Sequence, residues 1–167
     1  MTADPSSADF RATMSSFCTG VVAIAAVVDG RPVGMTCQSF ISLSLDPPLI
    51  AFAPARTSST YPVLRQARRF AISVLAEDQG DVALALASKG TDKFATVPWH
   101  PLASGTPVID GCLAWIDCTF ETEYDAGDHL LVVGRVHELG HLPDGEPLTY
   151  YRSSFNSVGG RQSPLSS

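Results

Sequence analysis

Residues 21–28, VVAIAAVV, form an unbroken apolar run that ends at Asp29-Gly30. An Asp-Gly pair between apolar segments marks a two-residue β-hairpin, because both turn positions need positive φ and these residues tolerate it. The chain is therefore expected to double back into an antiparallel strand from about Pro32 to Leu45, in which Phe40–Leu45 alternates apolar and hydroxyl side chains. Asp46-Pro47-Pro48 must be a corner, since prolines are excluded from central strands. Leu49–Ala53 and Phe70–Leu75 follow as further strands. Cys112–Glu123 and His129–Leu139 are two longer ones joined by 124–128, and a short strand lies near Leu148–Arg152. Val21–Val28 and Leu130–Val133 are apolar on both faces, and a subunit contact would bury the second face.

Helical segments are few. Asp9 is a plausible N-cap for a helix through Phe17, with Phe10, Met14 and Phe17 on one side, ended by Gly20. Ser58–Leu64 reads as a helix entrance with hydroxyl caps and Pro62 in the first turn, continuing to Ala67. Asp78–Ala87 is a second, Ala/Leu-rich helix, and Pro98–Gly111 reads as loop. Successive antiparallel strands with short helices between them imply a mainly β fold, a closed or nearly closed barrel. With 167 residues and no linker, one domain is expected over 1–158, followed by a disordered tail over 159–167.

Composition narrows the function classes. Apolar residues are 45% and charged residues 17%, with a net charge of −6. Disorder and a global basic field for nucleic acid are excluded, and no apolar run is long enough to span a membrane. The N-terminal residues lack a secretory pattern, and Cys18, Cys37, Cys112 and Cys118 have no metal-binding spacing, so a cytoplasmic protein with reduced thiols and no metal is expected. Cys112 and Cys118 share one strand face by parity. His100, His137 and His141 are taken as structural. The charge is uneven: residues 31–93 carry a net +2 and residues 94–151 a net −8.

No nucleophile elbow, zinc motif, P-loop or GxGxxG is present, which fits a chain whose cofactor does the chemistry. Three segments stand out. Gly34–Phe40 is rich in small polar residues and suits the edge of a planar heteroaromatic ring, or simply a polar strand face. Ala53–Thr60 places Arg56 and several hydroxyls before a helix, which suits a phosphate; capping alone would account for the hydroxyls but not for the arginine. Ser88–Phe94 combines a hydroxyl, Gly90 and the only lysines, Lys89 and Lys93, and suits a phosphate or a helix C-terminus. His129 shares strand parity with Leu131, Val133 and Arg135.

The runs PVGMTCQSFISLSLDPPLIAFAPARTSST, FAISVL, ASKGTDKF, GDHLLVVGRV and PLTYYR, in this order, resemble the short-chain flavin reductases of two-component flavin-dependent monooxygenases. The resemblance covers about residues 10–155. It implies a flavin-binding split barrel of antiparallel Greek-key type, usually a homodimer. It implies that Thr36, Cys37, Gln38, Ser39 and Phe40 follow the isoalloxazine and ribityl chain. Ala53, Pro54, Arg56, Ser58 and Ser59 then surround the ribityl phosphate, and Ser88 and Lys89 complete that site. His129, Tyr151 and Arg152 fall near the nicotinamide nucleotide, with His129 as the catalytic candidate. Cys37-Gln38 and Ser153-Ser154 depart from the family pattern.

The implied reaction is hydride transfer from NADH or NADPH to FMN or FAD, with the protein stacking the rings and excluding water. NADH is favoured because no second basic cluster near 129–152 awaits a 2′-phosphate. The residues do not separate FMN from FAD. Reduced flavin would pass to a partner monooxygenase. Two other readings fit the same residues: a split-barrel flavoprotein that keeps its FMN as an oxidase or electron carrier, and a non-catalytic dimeric binding module.

Overall fold

A computed structural model of the chain describes residues 4–90, 92–142 and 144–158. The tail expected over 159–167 lies outside the described residues. Strand β1 (Thr19–Gly20) is followed by β2 (Val22–Val28), β3 (Arg31–Cys37), β4 (Ile41–Leu45) and β5 (Pro48–Phe52). Then come β6 (Arg69–Val74), β7 (Trp99–Pro101), β8 (Pro107–Ile109), β9 (Ala114–Ala126), β10 (His129–His141), β11 (Leu148–Tyr151) and β12 (Ser154–Ser157). Among the described residues three helices interrupt them: α1 (Ser7–Met14), α2 (Tyr61–Leu64) and α3 (Gly80–Ala87).

The main sheet has the antiparallel order β3-β2-β6-β9-β10-β5-β4. Its two edges, β3 and β4, are consecutive in the chain and separated only by Gln38–Phe40. Each residue spans at most about 3.6 Å, so the edges must lie close and the sheet must curl. No ladder joins them among the described residues, and the curled sheet keeps an open seam. The result is a mainly β split barrel, as expected, rather than a closed one.

The Asp29-Gly30 hairpin is as expected, with φ of 51° and 74°. The return segment is not one strand but two, because the chain crosses from one sheet edge to the other at Gln38–Phe40. The segment 98–111 is not all loop: β7 and β8 pair with each other. Strand β12 also goes beyond expectation, pairing with β11 across a two-residue turn. Helix α1 is capped by Ser6, whose Oγ accepts from the Asp9 backbone N–H at 3.1 Å, so Asp9 sits inside the first turn. The helix ends at Met14, well short of Phe17. Helix α2 is a single turn and stops before Ala67.

Side chains from the inner face of the sheet, including Val22, Ile24, Phe52, Phe70, Cys118 and Val132, fill the barrel with Leu64 of α2. A second cluster lies outside: Val21, Ala23, Ala71 and Leu75 pack against Leu86 of α3, Ile109 and Leu148. The two-faced apolarity of β2 is thus satisfied within one chain, and no subunit contact is required for it. Cys112 precedes β9 and joins this outer cluster, so it does not share a face with Cys118.

Candidate functional site

The seam of the barrel collects the first group of expected site residues. Thr36 Oγ1 donates to the Ala83 carbonyl at 2.6 Å, which ties β3 to α3. Ser39 Oγ donates to the Ala53 carbonyl and accepts from the Ala53 N–H, both at 3.0 Å. A side chain therefore replaces the missing ladder between the sheet edge and the loop after β5. Cys37 is buried, with Sγ 3.1 Å from Ser39 Oγ. Gln38 is exposed, and Phe40 packs on the inner core.

The loop after β5 is stitched to the turn between β9 and β10. Leu130 N–H donates to the Pro54 carbonyl at 3.0 Å, Ala55 bridges to His129, and Arg56 N–H donates to the Asp128 carbonyl at 2.9 Å. Arg56 Nε donates to the Gly127 carbonyl at 3.1 Å, and its guanidinium pairs with Asp125. Arg56 thus clamps the turn that carries His129, a role distinct from the phosphate contact expected of it. His129 Nδ1 lies 2.7 Å from Asp128 Oδ1. That hydrogen bond, and then the charge of the ring, hold the Asp128 carboxyl below its usual range.

A second group forms around the hydroxyl loop. Ser58 Oγ accepts from the Tyr61 N–H at 3.1 Å, and Ser59 is exposed. Lys93 Nζ donates to Thr60 Oγ1 and to the Leu86 carbonyl, both at 2.9 Å. Burial lowers the pKa of this ammonium, so an anion beside it would be favourable. Ser88 Oγ donates to the Ala85 carbonyl at 2.7 Å, which caps α3. Lys89 is exposed and makes no hydrogen bond or ion pair among the described residues. Since α2 is one turn long, its macrodipole is small.

A cavity of about 440 Å³ joins the seam to the carboxy-terminal hairpin. Gln38, Ser39, Arg152 and Ser153 line it, with Phe10, Met14 and Phe17 from the α1 segment. Arg152 N–H donates to the Ser15 carbonyl at 3.1 Å, and its guanidinium lies 5.2 Å from the Tyr151 ring centroid. Thr19 also lines the cavity, and its buried hydroxyl has no hydrogen-bond partner among the described residues. The structure therefore brings Gln38 and Ser39 to Arg152, and Ala53, Pro54 and Arg56 to His129.

Sequence reasoning named Lys89 for the phosphate side and Lys93 only as part of the same segment, whereas it is Lys93 that the structure turns toward Thr60. They lie four apart in the sequence, and only the tertiary bridge from Lys93 Nζ to Thr60 and the Leu86 carbonyl of α3 sets which one faces inward. The α1 side chains were legible as one apolar side, without a partner to point them at.

This arrangement matches known proteins over nearly its whole length. Residues 14–159 match the model of the flavin reductase like domain. The chain belongs to that family. It is 42% identical over 151 residues, 89% of this chain and 81% of the relative, to the flavin-dependent monooxygenase reductase subunit HsaB of Mycobacterium tuberculosis. It is 41% identical over 149 residues, 89% of this chain and 84% of the relative, to the FMN reductase (NADH) SmoA of Agrobacterium fabrum. Its fold superposes with a TM-score of 0.87 and 30% identity on the NADH:FAD oxidoreductase SgcE6 of Streptomyces globisporus in complex with NAD and FAD fragments, covering 100% of this chain and 99% of that one. The flavin reductases thus share both its sequence pattern and its overall fold. No helix among the described residues is long and apolar enough to cross a membrane.

Proposed function

We propose that this chain is a flavin reductase that uses NADH to reduce FMN or FAD and supplies the reduced flavin to a separate flavin-dependent monooxygenase. The observation that carries the reading is a polar seam that opens onto a cavity lined by Arg152, with a hydroxyl-and-lysine cluster on the loop after the same strand β5, in a chain of the flavin reductase family. The donor set fits the ligand. Ser59, Thr60 and Lys93 present hydroxyl and ammonium donors to a phosphate, and Thr19 leaves a hydroxyl without a partner among the described residues beside the cavity. When both ligands are bound, the nicotinamide supplies the hydride and the flavin accepts it.

The chain's own residues then have separable roles. Thr36 and Ser39 hold the seam in shape for the ring edge. Ser58, Ser59, Thr60, Lys89 and Lys93 hold the phosphate side. Arg56 acts as a positioning residue, since it fixes the turn that carries His129. His129, with its ring oriented by Asp128, and Tyr151 and Arg152 serve the nicotinamide side. Four free cysteines fit a reducing, cytoplasmic setting, with residues 1–158 as one domain.

The functional unit is a homodimer formed through the outer face of the main sheet. Tyr124 opposes Leu131, and Val133 opposes Ala51, which opposes Ile41, so these side chains share that face. Ile41, Tyr124 and Leu131 are 52%, 57% and 37% exposed, an apolar patch that suits a self-complementary contact.

Stopped-flow NADH oxidation with FMN and FAD added separately tests the reading. Turnover that requires added flavin is expected; yellow protein that retains its flavin and does not consume NADH would overturn it. Replacing Lys93 with Met should weaken binding of both flavins by about ten- to a hundredfold, the loss of a charge-assisted hydrogen bond. His129→Ala should raise the NADH KM and lower turnover while leaving the flavin Kd within about twofold, a change too small to register as a lost contact.

A further inference from the structure

A separate cavity of about 640 Å³ begins where the hydroxyl loop ends. Ser59, Thr60 and Lys93 line it, and so do Arg31, Val33 and Phe94. Its volume falls in the range of about 300–1,000 Å³ typical of sites for small organic ligands. FMN ends at its phosphate, so a hollow that continues beyond a phosphate loop has no use for FMN.

We infer that this cavity receives the adenosine phosphate half of FAD, and that FAD rather than FMN is the flavin the chain is shaped to take. This rests on the reading that Ser59, Thr60 and Lys93 face the flavin's first phosphate. The second phosphate of FAD needs a second cation, and Arg31 is the available one. Arg31 is exposed and forms no ion pair or side-chain hydrogen bond among the described residues. Its position is fixed by the Asp29-Gly30 turn, since it opposes Val28 in the first pair of the hairpin.

An adenine ring needs an apolar wall, and Phe94 with Val33 offers one. The Phe94 ring meets Trp99 edge-on, with centroids 6.3 Å apart and planes at 80°. It also lies directly on Gly34, where a Cβ would stand 3.0 Å from Phe94 Cζ and 3.0 Å from the Ile24 carbonyl. The missing side chain at position 34 therefore lets the aromatic wall settle against β3. An aromatic ring stacks on the π-face that any base offers. The carboxylate of Asp29, also on the lining, accepts but does not donate, which suits the exocyclic amine of adenine rather than a phosphate.

NADH carries the same adenosine phosphate chemistry. The nicotinamide-side residue Arg152, however, lines the other cavity, whereas this one shares Ser59, Thr60 and Lys93 with the phosphate loop. That placement favours FAD.

Flavin fluorescence titrations of wild type, Arg31→Ala and Phe94→Leu, with FMN and FAD in parallel, test the inference. Wild type should bind FAD more tightly than FMN. Each substitution should raise the ratio of the FAD Kd to the FMN Kd about tenfold, the loss of one charged or stacking contact. Arg31 is exposed and bears on no core packing, so its variant keeps the test valid should Phe94→Leu fold poorly. A ratio that stays at the wild-type value, or a wild type that prefers FMN, overturns the inference. So does a rise in the NADH KM without a change in the ratio, which would assign the cavity to the nucleotide of NADH. Thr60→Val supplies the separate control. If it weakens FMN and FAD together while the Arg31 ratio stays flat, only the adenosine assignment fails. If it weakens neither, the phosphate-loop reading fails first.

Discussion

Cys118 sits in the inner core with no accessible surface, and burial, aided by the neighbouring Asp117 charge, pushes its thiol from the ordinary 9.0 up to about 12. Because the folded pKa is raised, the folded state keeps a proton that the unfolded chain loses. Stability from this thiol is complete below pH 9 and falls as pH rises from about 9 toward 12. Urea melts at pH 7 and pH 10 should show this loss, and Cys118→Ala should show a smaller pH difference on a lower baseline. The same contrast governs reactivity. Cys18 is exposed, while Cys37, Cys112 and Cys118 are buried. Iodoacetamide should therefore modify Cys18 in the native protein and the other three only after unfolding, as intact mass would report. At this scale the sequence conveyed which residue types gather but not which partner each one takes. Arg56 was read as phosphate-facing from its place at a helix entrance and from the family resemblance; the structure adds that its guanidinium is held by Asp125 and Gly127, some seventy residues along the chain. A contact of that range leaves no local pattern.

Two turns and one crossing show what decides the elements. Asp29-Gly30 was legible because the turn chemistry and the flanking apolar runs agree. Arg152 and Ser153 form the same kind of turn between β11 and β12, with φ of 49° and 62°, yet neither residue announces it. Strand β12 was missed for that reason. Left-handed backbone costs an ordinary residue about 1–2 kcal/mol, so Ser153→Gly should stabilise the protein by up to about 1 kcal/mol, measured by urea denaturation. The opposite outcome is expected at Gly134 on β10. A Cβ there would stand 2.7 Å from Phe70 Cζ and 2.9 Å from Ile50 Cδ1. Phe70 cannot retreat easily, since its ring meets Phe52 at 5.7 Å and Phe120 at 4.4 Å between centroids. Gly134→Ala should therefore cost about 1–3 kcal/mol in the same assay. The break between β3 and β4 was invisible for a third reason. Residues 32–45 have uniform strand character, and only the closing of the sheet forces Gln38–Phe40 out of the ladder and into the site.

At the scale of the molecule, apolar surface has two destinations, and the sequence pattern does not distinguish them. The second face of β2 is covered by α3, β8 and β11 of the same chain. The outer face around Ile41, Tyr124 and Leu131 has no such cover. The difference arises because the outer cluster is built from segments after β6, which fold back over β2 and β6 and leave β10, β5 and β4 bare on that side. His129 begins the strand that crosses this bare face and shares strand parity with Leu131. A contact there would shield the proposed nicotinamide side as well as the hydrophobic patch. Leu131→Asp combined with Ile41→Asp places two carboxylates where the partner would pack, without touching the inner core. Light scattering after size exclusion should give a dimer mass for the wild type and a monomer mass for the double variant. The monomer should keep its circular dichroism but show a raised NADH KM. A double variant that remains dimeric would move the interface elsewhere, and a monomeric wild type would end the proposal of a homodimer.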